Sequence, residues 1–413
     1  MKKQTNYFPK NGLLFHSKLS LILPIIICTL SLAACNRNTA ETISNDDIVA
    51  TSEPVPQKKT ATIVASGDML YHPHLYLSVE QPDGSYDFSK QYEYIKPLIS
   101  GADLALGDFE GTIHPERKLC GYPMFNAPGD VAKTIKDTGY DVIDLAHNHI
   151  LDMGLEGVFT TMDAFQQQNV DVIGVKRNKD DDILIKEVNG IKIATLAFSY
   201  GYNGMENTIS KEDYNAHMED LNPEKVKRKI EKAETLADIT IVMPQIGAEY
   251  AMKPTQEQVV MYHNMVDWGA DIIFGGHPHV PEPTETIEKN GETKFILYSM
   301  GNLISNQRIE TLDNKWTERG VIMEVAIEKN GDKTVITTAT PHPTWVSRIP
   351  QNRYNGVYPL FDYSVLLCED YLPGGIYEGK LDQKTTNRIV TAYNEVMELL
   401  NVDDSILLPA TNK

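Results

Sequence analysis

Side chains that can bind metal ions follow four separate apolar runs of this 413-residue sequence. Each run is short enough to be a strand, and a carboxylate, a side-chain amide or an imidazole comes soon after it. Together these groups suit borderline divalent ions such as Mn, Fe or Zn. A single Gly-Asp after a strand is commonly only a turn, so the prediction of a metal site depends on the whole ordered set. In chain order the set is Asp68, then Asp108 and Glu110, then Asn148 and His149, then His277 and His279.

The elements that must position these residues alternate between short apolar runs and longer amphipathic stretches. Such alternation is typical of crossover units that build a mostly parallel, buried sheet, and it predicts an α/β fold. Ligands bind beyond the carboxyl ends of the strands in such sheets, so the four groups are expected on one rim. The predicted strands are 61–66, 103–106, 141–146, 191–198, 238–243, 270–274 and 294–299. The predicted helices are 87–99, 129–138, 155–168, 222–236, 255–268 and 384–400.

Turn signals support these boundaries. Three Gly-x-Asp segments, which begin at Gly101, Gly139 and Gly269, each close a predicted helix and open a strand. Glycine suits the left-handed residue that ends many helices, so we interpret them as ordinary helix-to-strand turns. Later, Asn330-Gly331 separates the apolar segments 320–329 and 333–340 and predicts a hairpin with antiparallel strands.

The order Gly-Asp, Gly-Asp, Asn-His, Gly-His-x-His resembles the calcineurin-like metallophosphoesterase superfamily. Within it, four segments resemble the CapA (PgsA) family of poly-γ-glutamate capsule-synthesis proteins, and the resemblance covers about residues 61–306. It implies mixed β sheets flanked by helices in a four-layer αββα sandwich. The segments are Leu145–Gly154, Gly247–Tyr250, Gly269–Val280 and Tyr298–Leu303.

The resemblance also implies roles for individual residues. Asp68 and His279 would serve one metal ion, Asp108 would bridge two, and Asn148 and His277 would hold the second. His149 would protonate or steady a leaving oxygen, so it and Asp108 are the catalytic candidates. The residues expected to surround the ligands or face the substrate are Glu110, Gln245, Glu249 and Asn302.

Three positions depart from the pattern of relatives. Leu70 stands where metallophosphoesterases usually have a histidine, although His72 and His74 are near. Gln245 stands where the family tends to have a histidine, and an amide is a weaker ligand than imidazole. Asp108 stands where relatives often carry asparagine, which favours metal binding here. The sequence therefore predicts one or two divalent ions and leaves open whether the protein is a metal-dependent hydrolase.

The N-terminus has the features of an export signal. Residues 1–18 carry four lysines and no acidic residue, and the apolar run that follows, Leu19–Ala34, is shorter than the ~20 residues that span a bilayer. Leu32-Ala33-Ala34-Cys35 resembles the lipobox of bacterial lipoproteins, with Cys35 as the lipidated residue. The prediction is a protein anchored by lipid on the outer face of the cytoplasmic membrane. The expected regions are a signal peptide (1–34), a flexible tether (35–60), the phosphoesterase-like domain (61–345) and a C-terminal extension packed on it (346–413).

Composition limits the partners. The formal net charge of −19, which becomes more negative once residues 1–34 are removed, disfavours nucleic acid, whose binding depends on neutralised phosphates. Outside the signal and the lipobox, the cysteines are Cys120 and Cys368, and spacing leaves open whether they pair.

The function expected from the resemblance is synthesis, export or anchoring of an anionic capsule polymer similar to poly-γ-glutamate. The expected partners are that polymer or a phosphoester, the membrane, and other capsule-synthesis membrane proteins. Two alternatives remain: a non-catalytic polymer-handling or assembly subunit, and a phosphodiesterase or phosphatase that acts on another surface substrate.

Overall fold

The computed structural model describes residues 58–179, 183–356 and 358–406. Its strands, in chain order, are β1 Lys59–Leu70, β2 Leu104–Glu110, β3 Val142–Asp144, β4 Asp171–Ile173, β5 Leu184–Val188, β6 Ile191–Ser199, β7 Ile239–Gln245, β8 Ile272–Phe274, β9 Thr284–Lys289, β10 Glu292–Leu297, β11 Asn302–Ile304, β12 Arg319–Asn330, β13 Lys333–Asn355 and β14 Tyr358–Leu367. Its α-helices are α1 Pro73–Leu77, α2 Ser89–Tyr92, α3 Lys96–Gly101, α4 Asp130–Thr138, α5 Gly154–Gln166, α6 Lys211–His217, α7 Pro223–Glu234, α8 Gln256–Trp268, α9 Ile309–Leu312 and α10 Gln383–Leu400. Short 3-10 helices span Met205–Thr208, Lys315–Glu318 and Cys368–Tyr371.

Two sheets carry these strands. The first has the order β14-β13-β12-β1-β2-β3-β4, and β11 also pairs with the end of β1. Strands β1 to β4 are parallel, whereas β12, β13 and β14 add an antiparallel half. The second sheet has the order β5-β6-β7-β8-β10-β9, in which the four central strands are parallel and both edge strands are antiparallel.

Alternation of side chains along the strands explains the layers. One buried cluster joins strand residues of both sheets, such as Ile63 and Ile241, so the sheets pack face to face. The opposite face of the first sheet packs on α4 and α5 through residues such as Phe109 and Phe165. The opposite face of the second sheet packs on α7 and α8. The predicted four-layer αββα arrangement is therefore confirmed.

The Gly-x-Asp turns have a structural role that their spacing did not reveal. In each, the aspartate immediately precedes a strand, and its carboxylate accepts a hydrogen bond from a backbone N–H of the neighbouring parallel strand. Asp103 accepts from Thr62 at 2.9 Å, Asp141 from Ala105 at 3.0 Å and Asp271 from Thr240 at 2.7 Å. These hydrogen bonds fix the start of β2, β3 and β8, the strands whose other ends lead to candidate metal ligands.

The C-terminal region contributes to the sheet as well as packing on it. The hairpin at Asn330-Gly331 forms as predicted, but its second strand continues to Asn355 and β14 then adds the edge of the first sheet. Helix α10 packs on β13 and also reaches the layer between the sheets through Val396 and Leu400. Residues 346–406 thus include strands that turn signals alone did not predict.

Several predictions concern residues outside the described ranges, including the signal peptide, most of the tether and the lipidation of Cys35. The tether was expected to reach residue 60, whereas β1 begins at Lys59. Cys120 and Cys368 are both free thiols. Within the described ranges, no helix combines the length and apolarity needed to span a bilayer.

Candidate metal centre

The acidic residues expected at the rim, the edge where the parallel strands end, lie within the last residues of β1 and β2 rather than after these strands. Strands β1 and β2 pair in parallel register through Asp68 opposite Asp108 and Leu70 opposite Glu110. Between them, Met69 and Phe109 point into the cluster that the helices cover. Because side chains alternate along a strand, the carboxylates point to the other face, at the edge of the layer between the sheets.

The imidazoles arrive from the second sheet on the loop that follows β8. His277 and His279 both have positive φ, 93° and 59°, which is uncommon for residues other than glycine. Gly276 lets the loop pass close to the rim, since a Cβ there would lie 2.4 Å from Gln245 Nε2 and 3.2 Å from Asp108 Oδ2. The backbone of this loop is therefore shaped so that both rings reach the acids of the first sheet.

One ligand group forms around His279. Its Nδ1 lies 2.9 Å from Asp68 Oδ2, 3.1 Å from Asn302 Oδ1 and 3.6 Å from Glu110 Oε2. Ligand atoms of Asp68, Glu110 and His279 all lie within 4.8 Å of one another. Asn302 also holds His279 in place, because its side-chain amide donates a hydrogen bond to the backbone carbonyl of His279. Three side chains whose ligand atoms are close enough to bind one ion thus meet where β1 and β2 end and the loop after β8 begins.

A second group lies around Asp108, which forms a very short hydrogen bond with Gln245 Nε2. Asn148, on the loop after β3, donates to Asn203 Oδ1 at 3.4 Å and leaves its own oxygen without a partner. His277 packs its ring 4.5 Å from that of Tyr200. Asn148 and His277, which the resemblance assigned to the second ion, thus each have a buried acceptor without a partner, but the amide of Gln245 already occupies one oxygen of the Asp108 carboxylate.

Unpartnered acceptors dominate this rim. Buried acceptor atoms without a hydrogen bond cost free energy, so such groups normally have a partner. Among the described residues, eight such atoms belong to seven side chains that line the rim, and each of these side chains is at most 4% exposed. They are Asp68 Oδ1, Asp108 Oδ1, both carboxylate oxygens of Glu110, Asp144 Oδ2, Asn148 Oδ1, Gln245 Oε1 and His277 Nδ1. A set of buried acceptors without donors fits a divalent cation.

The electrostatics point in the same direction. Burial, together with the charges of Asp144, Asp68 and Glu110, raises the pKa of Asp108 well above its usual value. Burial likewise raises the pKa of Glu110 to about 7. Burial opposes a charge on His279, but the Glu110 charge and the hydrogen bond to Asp68 outweigh it and raise its pKa to about 10. Without a cation the site thus favours protons on its acids and on His279.

His277 behaves in the opposite way. Burial and the nearby charge of His279 lower its pKa to about 4. A neutral imidazole with a free Nδ1 is the form that binds a metal ion. His277 is therefore ready to act as a ligand across the neutral pH range.

His149 is the residue suited to proton transfer. Its Nδ1 lies 2.8 Å from Asp152 Oδ2, and Asp152 is itself fixed by the backbone N–H of Phe125 at 2.6 Å. Burial lowers the pKa of His149, but the hydrogen bond to Asp152 and the Glu110 charge outweigh burial and raise it. Since Asp152 holds Nδ1, the Nε2 side of the ring is left to act as an acid.

Sequence reasoning missed Asp144 and Asp152. Asp144 is a 1% exposed acid in β3, and its isolation in the apolar run Val142–Ala146 was the available signal. The His-x-x-Asp spacing was the signal for Asp152. Among the other candidates, Glu249 is exposed, and His72 is partly buried beside Phe125 and lies outside the ligand group around His279.

The two packed sheets flanked by helices, with acids, amides and imidazoles at the strand ends, form the fold of the calcineurin-like metallophosphoesterases. The chain belongs to the family described as bacterial capsule synthesis protein PGA_cap, whose sequence profile matches residues 62–307.

Relatives of known name agree with this assignment. The chain is 29% identical over 300 residues to the capsule biosynthesis protein CapA of Bacillus anthracis, covering 70% of this chain and 68% of the relative. It is 30% identical over 270 residues to the PGA biosynthesis protein CapA of Bacillus subtilis, covering 61% and 66%. The match thus spans about two thirds of each relative's length.

Solved structures are more distant. A calcineurin-like phosphoesterase, YfkN of Bacillus subtilis, is 14% identical with a TM-score of 0.41 and covers 83% of this chain and 99% of its own. A putative 5'-nucleotidase from Staphylococcus aureus is 11% identical with a TM-score of 0.41 and covers 81% and 58%.

Proposed function

We propose that the protein is a lipid-anchored capsule-synthesis protein that uses a divalent ion at this rim to act on a phosphoester, or on the polymer chain, at the outer face of the membrane. The observation that carries the proposal is the set of eight buried acceptor atoms without donors, placed where the residues implied by the family meet. The residues offered to the ion are Asp68, Asp108, Asn148, His277 and His279. When bound, such an ion polarises an ester oxygen and activates a water molecule.

The protein's own residues supply the rest of the chemistry. His149 holds a proton that a leaving oxygen needs, and Asp152 fixes the ring so that the proton is delivered from Nε2. Asn302 positions the His279 ring, and Gln245 holds the Asp108 carboxylate. The ions proposed for the site are Mn, Fe or Zn. Of the two ligand groups, the one around His279 is the better formed.

The decisive experiment measures metal content and turnover of bis(p-nitrophenyl) phosphate by the purified full-length protein. We expect bound metal and turnover that a chelator abolishes. Asp108→Asn should lose metal and turnover together, whereas His149→Ala should keep the metal and lose turnover. A wild-type protein that binds no divalent ion after dialysis against each of the three would refute the proposal.

A second candidate is a polymer-handling subunit without catalysis, and one specific observation favours it. Gln245 donates to Asp108, so the bridging carboxylate is held by an amide at the position where the family tends to supply an imidazole. Bound metal without turnover would select this candidate. In that case the ion would link an acidic protein to an acidic polymer, and His277→Ala with His279→Ala should reduce polymer retention by cells.

The location is tested separately. Cys35→Ser should release the protein from the membrane fraction if Cys35 carries the lipid. Unchanged membrane association, measured by fractionation with and without detergent, would refute the lipid anchor and leave the metal site unaffected.

A further inference from the structure

Position 70 and Glu110 face each other across two strands. The superfamily that this chain resembles usually has a histidine two residues after the first aspartate, and that position here is Leu70. In the parallel register of β1 and β2, the residue directly opposite Leu70 is Glu110, two residues after Asp108. The position on β1 that lacks the histidine is thus paired with a carboxylate on β2.

Both side chains point to the same face. Met69 and Tyr71 belong to the cluster covered by helices, as does Phe109 on β2. Leu70 is buried but lies outside that cluster, so it points with Asp68 toward the rim. A histidine at position 70 and a glutamate at position 110 would therefore reach into the same volume.

Glu110 has the properties of a ligand rather than of a distant support. It is 1% exposed, and neither of its carboxylate oxygens has a hydrogen-bond partner among the described residues. Its Oε2 lies 3.6 Å from His279 Nδ1, and the two residues form one close group with Asp68. A fully buried carboxylate with two free oxygens is costly unless a cation completes it.

We propose that Glu110 is a direct ligand of the ion in the first group and replaces, from the neighbouring strand, the histidine missing at Leu70. This inference rests on the proposed function, since it requires that an ion binds at the rim. The first group then contains two carboxylates and a single imidazole. Carboxylate oxygens suit Mn²⁺ better than Zn²⁺, so the replacement shifts the preference of the site toward Mn²⁺.

The test compares metal binding, which does not depend on turnover. Full-length protein is stripped with chelator, and Mn²⁺ and Zn²⁺ affinities are measured by calorimetry, with bound metal counted by mass spectrometry. Glu110→Gln keeps the shape and removes the charge, so its Mn²⁺ affinity should fall at least 100-fold. Loss of a group that merely supports a ligand costs about 10–100-fold.

A matched control and a rescue variant sharpen the comparison. Glu282 is a second fully buried carboxyl with an unpartnered oxygen, and it bonds to Gln258 on α8. Glu282→Gln should leave Mn²⁺ affinity unchanged. Leu70→His added to Glu110→Gln should restore metal binding, now with Zn²⁺ preferred, because the ligand returns as imidazole.

The outcomes separate the two proposals. Wild-type protein that binds no ion refutes the proposed function and this inference with it. Wild-type protein that binds Mn²⁺ while Glu110→Gln loses less than about 100-fold in affinity refutes the inference alone, because such a loss fits a group that only supports a ligand. Equal losses in Glu110→Gln and the Glu282→Gln control also refute it, because neutralising any buried carboxyl would then suffice. Should Glu110→Gln fail to fold by near-ultraviolet circular dichroism, Glu110→Asp replaces it, with a smaller loss expected and an unchanged affinity again refuting the inference.

Discussion

In the metal-free protein, neutralising Glu110 should stabilise the fold, although the same change weakens metal binding. The carboxyl group is fully buried, and burial raises its pKa from 4.5 to about 7. Because the folded-state pKa lies above the unfolded value, the folded protein keeps a proton that the unfolded chain has released in this window. Wild-type stability that depends on Glu110 is therefore present below pH 4.5 and is lost as pH rises through 7.

The size of the effect follows from the shift. At about 1.4 kcal/mol per pKa unit, the Glu110 carboxylate costs the folded state ~3 kcal/mol above pH 7. Glutamine resembles the protonated acid and carries no such cost. The advantage of Glu110→Gln over the wild type should thus grow by about 2–3 kcal/mol between pH 5 and pH 8.

Urea denaturation in the presence of chelator at several pH values measures this difference directly. Groups distant from Glu110 also make stability depend on pH, but they act in both proteins and cancel in the comparison, and the effect of the His279 charge is already included in the Glu110 pKa. Glu398→Gln is the control, because Glu398 is exposed on α10 and its neutralisation should leave the pH profile unchanged. Parallel curves for wild type and Glu110→Gln would show that the buried acid carries no charge penalty and would refute the reasoning.

Three further predictions concern the site and its support. If the protein is an esterase, His149→Ala should lower kcat by about 10²–10⁴ while Mn²⁺ affinity, measured by calorimetry, stays unchanged; parallel loss of both would contradict a proton-transfer role. Gly276→Ala should weaken metal binding because its Cβ would lie 2.4 Å from Gln245 Nε2 and 3.2 Å from Asp108 Oδ2 and displace both side chains, whereas Gly101→Ala, which meets nothing within 4 Å, should bind normally. Arg388→Gln should lower the free energy of unfolding by about 1–3 kcal/mol, since its guanidinium forms two bonds, 2.6 and 2.8 Å, to a buried carboxylate. As a control, Lys133→Gln, which breaks the exposed ion pair with Asp137, should leave the free energy of unfolding almost unchanged in the same urea assay.

Much of the fold could be read from the sequence because its signals are local. Apolar runs and amphipathic stretches predicted the central strands of both sheets and most of the helices within a few residues, whereas the predicted helix 87–99 is divided into α2 and α3. Local signals also mark helix starts, as the capping box of Thr255 and Gln258 does for α8. The closeness of Asp68 and Asp108 also followed, since it needs only neighbouring parallel strands, whereas the contact of Asp68 with His279 joins two sheets.

What sequence reasoning missed depends on contacts between distant segments. Strand β11 has three residues and owes its place to pairing with β1, so no local pattern predicts it. The close association of Glu110 with His279 depends on the register between β1 and β2, which the two segments do not specify separately. Asp144 was missed because its apolar surroundings predict only a buried strand.

The contact between Asp68 and His279 joins residues 211 positions apart and belonging to different sheets. A contact that closes so long a loop is expected to form late in folding, after the strands on either side of it are in place. Interactions made after the folding barrier slow unfolding and leave the folding rate almost unchanged. An ion held there would therefore tie the two sheets together, and its occupancy would set the lifetime of the folded protein.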